Sequence, residues 1–142
     1  MNENAVISSV CSRLESLGCE IDHWCTTKER GIDVIAHNLS NGHKFFIEAK
    51  GGTSSREGSA RFGRIYSQSQ IFDRVAKGVF TCLELRAKYP NRENEHVILA
   101  IPDTQSFRAY LKPVLLQLKD AGIDVWFEQS VTQDLHGGNK RA

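Results

Sequence analysis

Two carboxylates and one ammonium stand at the ends of two short apolar runs. Asp33 lies in Gly31-Ile32-Asp33-Val34-Ile35-Ala36-His37, and Glu48 and Lys50 close the run Phe45-Phe46-Ile47-Glu48-Ala49-Lys50-Gly51. An apolar core would not choose charged groups there. Two carboxylates and one backbone carbonyl suit a hard divalent cation such as Mg²⁺, which keeps waters in its other positions. Asp33, Glu48 and the Ala49 carbonyl are therefore the expected metal ligands, with Mn²⁺ as a substitute ion. A lysine beside a metal-bound water can orient it and stabilise developing negative charge. The reaction this chemistry serves is attack of water on a phosphodiester. The plainer alternative makes Asp33 a turn residue and Glu48 and Lys50 one solvated strand face.

The elements that must position these groups follow from the pattern. The polar stretch Asn38-Leu39-Ser40-Asn41-Gly42 joins the two runs, and Asn41-Gly42 is a hairpin signal because both residues tolerate positive φ. In a hairpin turning there, the start of the first strand lies beside the end of the second, which brings Asp33 to Glu48 and Lys50. Side chains alternate along a strand, so Glu48 and Lys50 share one face and Ile47 and Ala49 the other.

Asp33 with Glu48-Ala49-Lys50 resembles the signature of the PD-(D/E)xK phosphodiesterase superfamily, closest in style to Holliday-junction resolvases and Mrr-like restriction nucleases. The resemblance covers roughly residues 5 to 101. It implies a restriction-endonuclease-like fold, metal binding by Asp33 and Glu48, assistance to the water by Lys50, and a product carrying a 5′-phosphate. The family often places a glutamine or basic residue on the following helix, and Gln70 is the matching position. Two departures stand out. Ile32 precedes the aspartate where the family name has proline. The resolvase-like members' further glutamate on the first helix has no exact counterpart: Ile7 stands at that spacing, and Glu3, one turn earlier, or Glu15 is left as a substitute, neither aligning well.

The rest of the chain supplies a frame. Residues 4 to 17 carry Val6, Ile7, Val10, Leu14 and Leu17 at helical spacing, with Asn4 as the expected N-cap and Gly18 as the stop. Cys19 to Cys25 reads as a first strand with Ile21 and Trp24 as apolar members. Residues 67 to 88 form a long helix whose expected buried stripe is Ile71, Val75, Val79, Cys82 and Leu83, with Gln70, Arg74 and Lys77 beside it. Arg74 reads as solvent-facing, and Gly78 as a point of close packing. His96 to Ile101 is a buried strand. A helix capped by Asp103 then kinks or restarts at Pro113, and Ile123 to Phe127 is a last strand parallel to its predecessor. The fold class is α/β: a mixed central sheet flanked by helices, in one nuclease domain over 1–128, with a flexible tail over 129–142.

The 142 residues carry a net charge of only +1, so bulk basicity does not announce a nucleic-acid partner. The charge is uneven, however. Residues 28 to 77 hold nine Lys/Arg against five Asp/Glu, the local sign a phosphate backbone requires. The glycine- and arginine-rich stretch from Gly51 to Arg64 emerges from the site, and Arg56, Arg61 and Arg64, with Lys77, are the expected nucleic-acid contacts. The partner expected is DNA, with a homodimer suiting action on both strands. The rival is a nucleic-acid-binding module, or a nuclease-like partner subunit without turnover. Cys11, Cys19, Cys25 and Cys82 match no usual zinc spacing and read as reduced thiols. Neither a leader nor a membrane-length apolar run is visible, so the expected compartment is the cytoplasm.

Overall fold

The computed structural model describes residues 1–25, 31–53 and 64–130. The elements in chain order are α1 (Glu3–Ser16), β1 (Cys19–Trp24), β2 (Val34–Asn38), β3 (Lys44–Ala49), α2 (Gln68–Lys88), β4 (Glu95–Pro102), α3 (Gln105–Leu111), a 3₁₀ turn (Lys112–Val114), α4 (Leu115–Asp120) and β5 (Ile123–Glu128). The five strands form one mixed sheet in the order β1-β2-β3-β4-β5. The pairs β1–β2 and β2–β3 are antiparallel, and β3–β4 and β4–β5 are parallel. The α/β class and the parallel last pair agree with the sequence.

Both crossovers, through α2 and through α3–α4, step in the same direction along the sheet. Right-handed connections then place these helices on one face. There Phe46, Val97, Leu99 and Ile101 pack against Ile71, Val75 and Cys82 of α2 and Phe107, Leu111 and Leu118 of α3–α4. On the other face Val34, Ala36, Ile47, Ala49, Ile98 and Ala100 pack against Val6, Ile7, Val10 and Leu14 of α1. Period-2 alternation along each inner strand separates the two sets.

The β2–β3 turn closes differently from expectation. No residue other than glycine among those described has positive φ, so only Gly42 (φ 75°) turns left-handed. Asn38 does the remaining work, its side-chain oxygen accepting from the Ser40 (2.8 Å) and Asn41 (3.1 Å) amides. The expected long helix holds as α2, capped by Ser67. Pro113 falls in the 3₁₀ turn that separates α3 from α4, as its missing donor demands. The cap of α3 is Thr104 rather than Asp103, which instead pairs with Arg108 and accepts from Gln129. Trp24, expected to be an inward member of β1, is 57 % exposed on the sheet's edge strand. Residues 131–142 of the expected tail lie outside the described residues.

Candidate active site

The hairpin register brings the acidic pair together. Val34 pairs with Ile47 and Ile35 with Phe46; one step further along, Asp33 comes opposite Glu48. Both are buried. The Lys50 amide donates to Ala100 on β4 (3.0 Å). Peptide groups alternate in direction along a strand, so those of Ala49 face Asp33. The Ala49 amide indeed donates to Asp33 Oδ2 at 2.8 Å. That bond pins the Asp33 carboxylate beside the Ala49 peptide. Lys50 Nζ lies 2.8 Å from Glu48 Oε2 on the same strand face.

This placement taxes the carboxylates' charges. Burial raises Asp33 above the ordinary carboxylate range, against the Ala49 amide, which favours the charged form. Glu48 is pushed up to about 7, first by burial and then by the Asp33 charge, with Lys50 acting against both. The Asp33 charge thus works against ionisation of Glu48, as for any two carboxylates held close. Burial disfavours the Lys50 ammonium, but the Glu48 charge and hydrogen bond outweigh it and raise Lys50.

Of the two first-helix glutamates, Glu3 joins this group. Helix α1 begins two residues earlier than its apolar periodicity indicates. Its N-cap is Asn2, whose side chain accepts from the Ala5 amide at 2.9 Å. Glu3 is thus the first helical residue, and it is buried. Gly51 lets the helix start approach. A Cβ on Gly51 would lie 2.3 Å from the Glu3 amide nitrogen. The contact is extended by Gly52, whose amide donates to the Met1 carbonyl at 2.8 Å. Burial raises the Glu3 carboxyl, opposed by Lys50 and then Arg74. The signal overlooked in the sequence was a second capping residue, Asn2, three before Ala5. Glu15 is exposed on the outer side of α1 and takes no part.

Helix α2 closes the site from above. A Cβ on Gly78 would meet Leu99 Cδ1 at 2.7 Å and Lys50 Cγ at 3.2 Å, so this glycine lets the helix rest on the Lys50 stem. Arg74 is half-buried rather than solvent-facing. It donates to the Tyr66 hydroxyl at 3.2 Å, and its charge acts on Glu3 and Lys50. Gln70 sits one turn earlier in a capping box, its side-chain oxygen accepting from the Ser67 amide at 2.8 Å. In this rotamer it can offer the site only its amide N–H groups. Buried Cys82 lies under the acidic pair, its thiol pushed up by burial and by the Glu48 charge. Cys25 Sγ stands 3.8 Å from Asp33 Oδ1. Arg64 and Lys77 are exposed, while Arg56 and Arg61 lie outside the described residues.

Among the described residues no three His, Cys, Asp or Glu side chains converge to hold a metal ion. What the site offers is the pair Asp33 and Glu48 with the Ala49 peptide. Mg²⁺ is commonly bound through one or two carboxylates and several waters, so this donor set fits it. The buried carboxylates facing each other are the observation behind that fit, since a divalent ion would relieve their mutual repulsion. Comparison with family models, curated proteins and solved structures finds no match to this chain. No helix among the described residues is long and apolar enough to cross a membrane.

Proposed function

We propose that the protein is a Mg²⁺-dependent nuclease of the restriction-endonuclease-like, PD-(D/E)xK kind, hydrolysing phosphodiester bonds of nucleic acid, DNA in the first instance. The observation that carries this is the juxtaposition of buried Asp33 and Glu48, with Lys50 bonded to Glu48 and the Ala49 peptide against Asp33. Asp33, Glu48 and the Ala49 carbonyl would hold the ion, which supplies charge neutralisation at the phosphate and a more acidic water. Lys50, fixed by Glu48 and by the Gly78 contact on its stem, orients that water by hydrogen bonding and stabilises negative charge on the phosphate oxygens. Glu3, whose charge already reaches Lys50, accepts a hydrogen bond from water at the site's edge. Gln70 donates to a phosphate oxygen. Arg64, and with it Arg56 and Arg61, contacts the backbone of the substrate. Four cysteines, none of them in a disulfide, suit a reducing compartment, the cytoplasm.

The test is incubation of purified protein with single-stranded, double-stranded and branched DNA and with RNA, in Mg²⁺, Mn²⁺ or EDTA. Cleavage that requires the metal and disappears in Asp33→Asn and in Lys50→Ala is the expected result. Binding without cleavage under every condition would transfer support to a nucleic-acid-binding module without turnover.

A further inference from the structure

One face of α2 buries Ile71, Val75, Gly78, Cys82 and Leu85. Leu83, expected in that buried stripe, lies instead on the opposite side and is 45 % exposed. It is not alone there. Phe72 is 53 % and Phe80 62 % exposed, and Ala76 and Ala87 are exposed as well. Phe72, Ala76, Phe80, Leu83 and Ala87 follow one another in steps of four, four, three and four, which keeps them on one helix face, a seam of the kind that packs against another helix. We propose that this seam is a self-association surface, on which a second copy of the chain lays its own α2 antiparallel.

Charge and size both select that occupant. Asp73, Lys77, Glu84 and Lys88 lie on one flank of the seam and are exposed. None of the four takes part in an ion pair among the described residues. Antiparallel pairing sets Asp73 beside Lys88 of the other copy and Lys77 beside Glu84, and the twofold axis repeats both. A parallel pairing would set Asp73 against Asp73 and Lys77 against Lys77. In the same antiparallel register Phe72 faces Ala87 and Ala76 faces Leu83, so each large side chain meets a small one. Phe80 falls next to the axis, beside its counterpart in the other copy. A twofold contact of this kind is closed and self-complementary. Lys77 is then a dimer residue before it is a nucleic-acid contact. The pairing is independent of the proposed reaction, because the seam and the site occupy opposite faces of α2.

The experiment is sedimentation equilibrium of the full chain over a range of protein concentrations. A reversible monomer–dimer equilibrium is expected. Phe80→Ala should weaken it about tenfold or more, and Lys77→Glu should weaken it by about tenfold, since two symmetric pairs become repulsive. The double variant Lys77→Glu/Glu84→Lys restores the pairs with reversed sense and should return the dissociation constant towards that of the parent. All of these side chains are exposed, so melting temperatures at monomeric concentrations should be unchanged, which separates lost association from lost folding. A chain that stays monomeric at every concentration overturns the proposal. So does a dimer insensitive to Phe80→Ala, or one that the charge exchange fails to restore.

Discussion

Lys50 is held by two contacts of different kinds. Its ammonium meets Glu48 (2.8 Å), and its stem runs past Gly78, where an added Cβ would come within 3.2 Å of its Cγ. An ammonium cannot ligate Mg²⁺, so Lys50→Ala should remove cleavage while leaving metal-dependent stabilisation in place; single-turnover cleavage and thermal shifts with Mn²⁺ check the two halves separately. Glu48 carries a pH consequence. Its carboxyl is raised from 4.5 to about 7 in the folded chain. Below the unfolded value both states are protonated and nothing is lost. As pH rises from there through about 7, the folded state holds the extra proton, so stability falls, and above that range the loss is complete. Metal-free melting temperature should therefore decline from about pH 5 to about pH 8 more steeply than in Glu48→Gln. Stabilisation by Mg²⁺ should grow over the same interval, since the ion competes with that proton. Equal slopes for the two proteins would remove the basis for a strained acidic pair. Glu3→Gln should lower cleavage by about tenfold to a hundredfold with the fold intact, the range for groups that act through a metal's surroundings.

Elements position these residues through close backbone approach. The start of α1 rests on Gly51, where a Cβ would fall 2.3 Å from the Glu3 nitrogen and 2.6 Å from the Asn2 carbonyl carbon. Neither is the movable end of a side chain, so the helix must shift. Gly51→Ala should cost about 2 kcal/mol or more in denaturant unfolding, in the range of overpacked cores. It should also lower cleavage more than Glu3→Gln does, because it displaces the helix start as well as the carboxylate. An alanine there with parental stability would mean that α1 does not depend on this contact. At Gly78 two effects oppose. Alanine gains about 1 kcal/mol of helix propensity, but its methyl would enter space held by the fully buried Leu99 side chain at 2.7 Å. The contact wins because Leu99 is fully buried among the core side chains, so the clash must be relieved by shifting packed neighbours.

For the whole molecule, the net charge of +1 hides a basic excess over residues 28 to 77. Phosphate contacts release counterions, so each one removed should lower the magnitude of the salt slope of DNA binding by about 1. Replacing Arg56, Arg61 and Arg64 together should flatten that slope and weaken different sequences by similar factors. The comparison belongs in a Lys50→Ala background, where binding is measured without turnover. Coincident slopes would mean that these arginines do not touch the backbone. If α2 pairs with a second copy, each helix stands between the twofold axis and its own site, and the two sites act as a symmetric pair on a substrate that spans them.

By itself the sequence determined the hairpin and the meeting of charged groups at its open end. Two apolar runs joined by a short polar connection fix register locally, and register alone puts Asp33 opposite Glu48 with Lys50 on the same face as Glu48. Helix periodicity likewise marked α1 and α2, and the proline marked the break between α3 and α4. Tertiary structure alone decided which residues meet across elements distant in the chain. Glu3 enters the site because Gly51 admits the start of α1, a contact between segments almost fifty residues apart that no local pattern encodes. Arg74 turns inward because Tyr66 and the acidic group await it there, whereas its spacing on the helix fits solvent equally well. Leu83 and Trp24 are apolar in sequence but exposed in the fold: apolar character states a preference for burial, and only the packed neighbours decide whether it is satisfied within one chain.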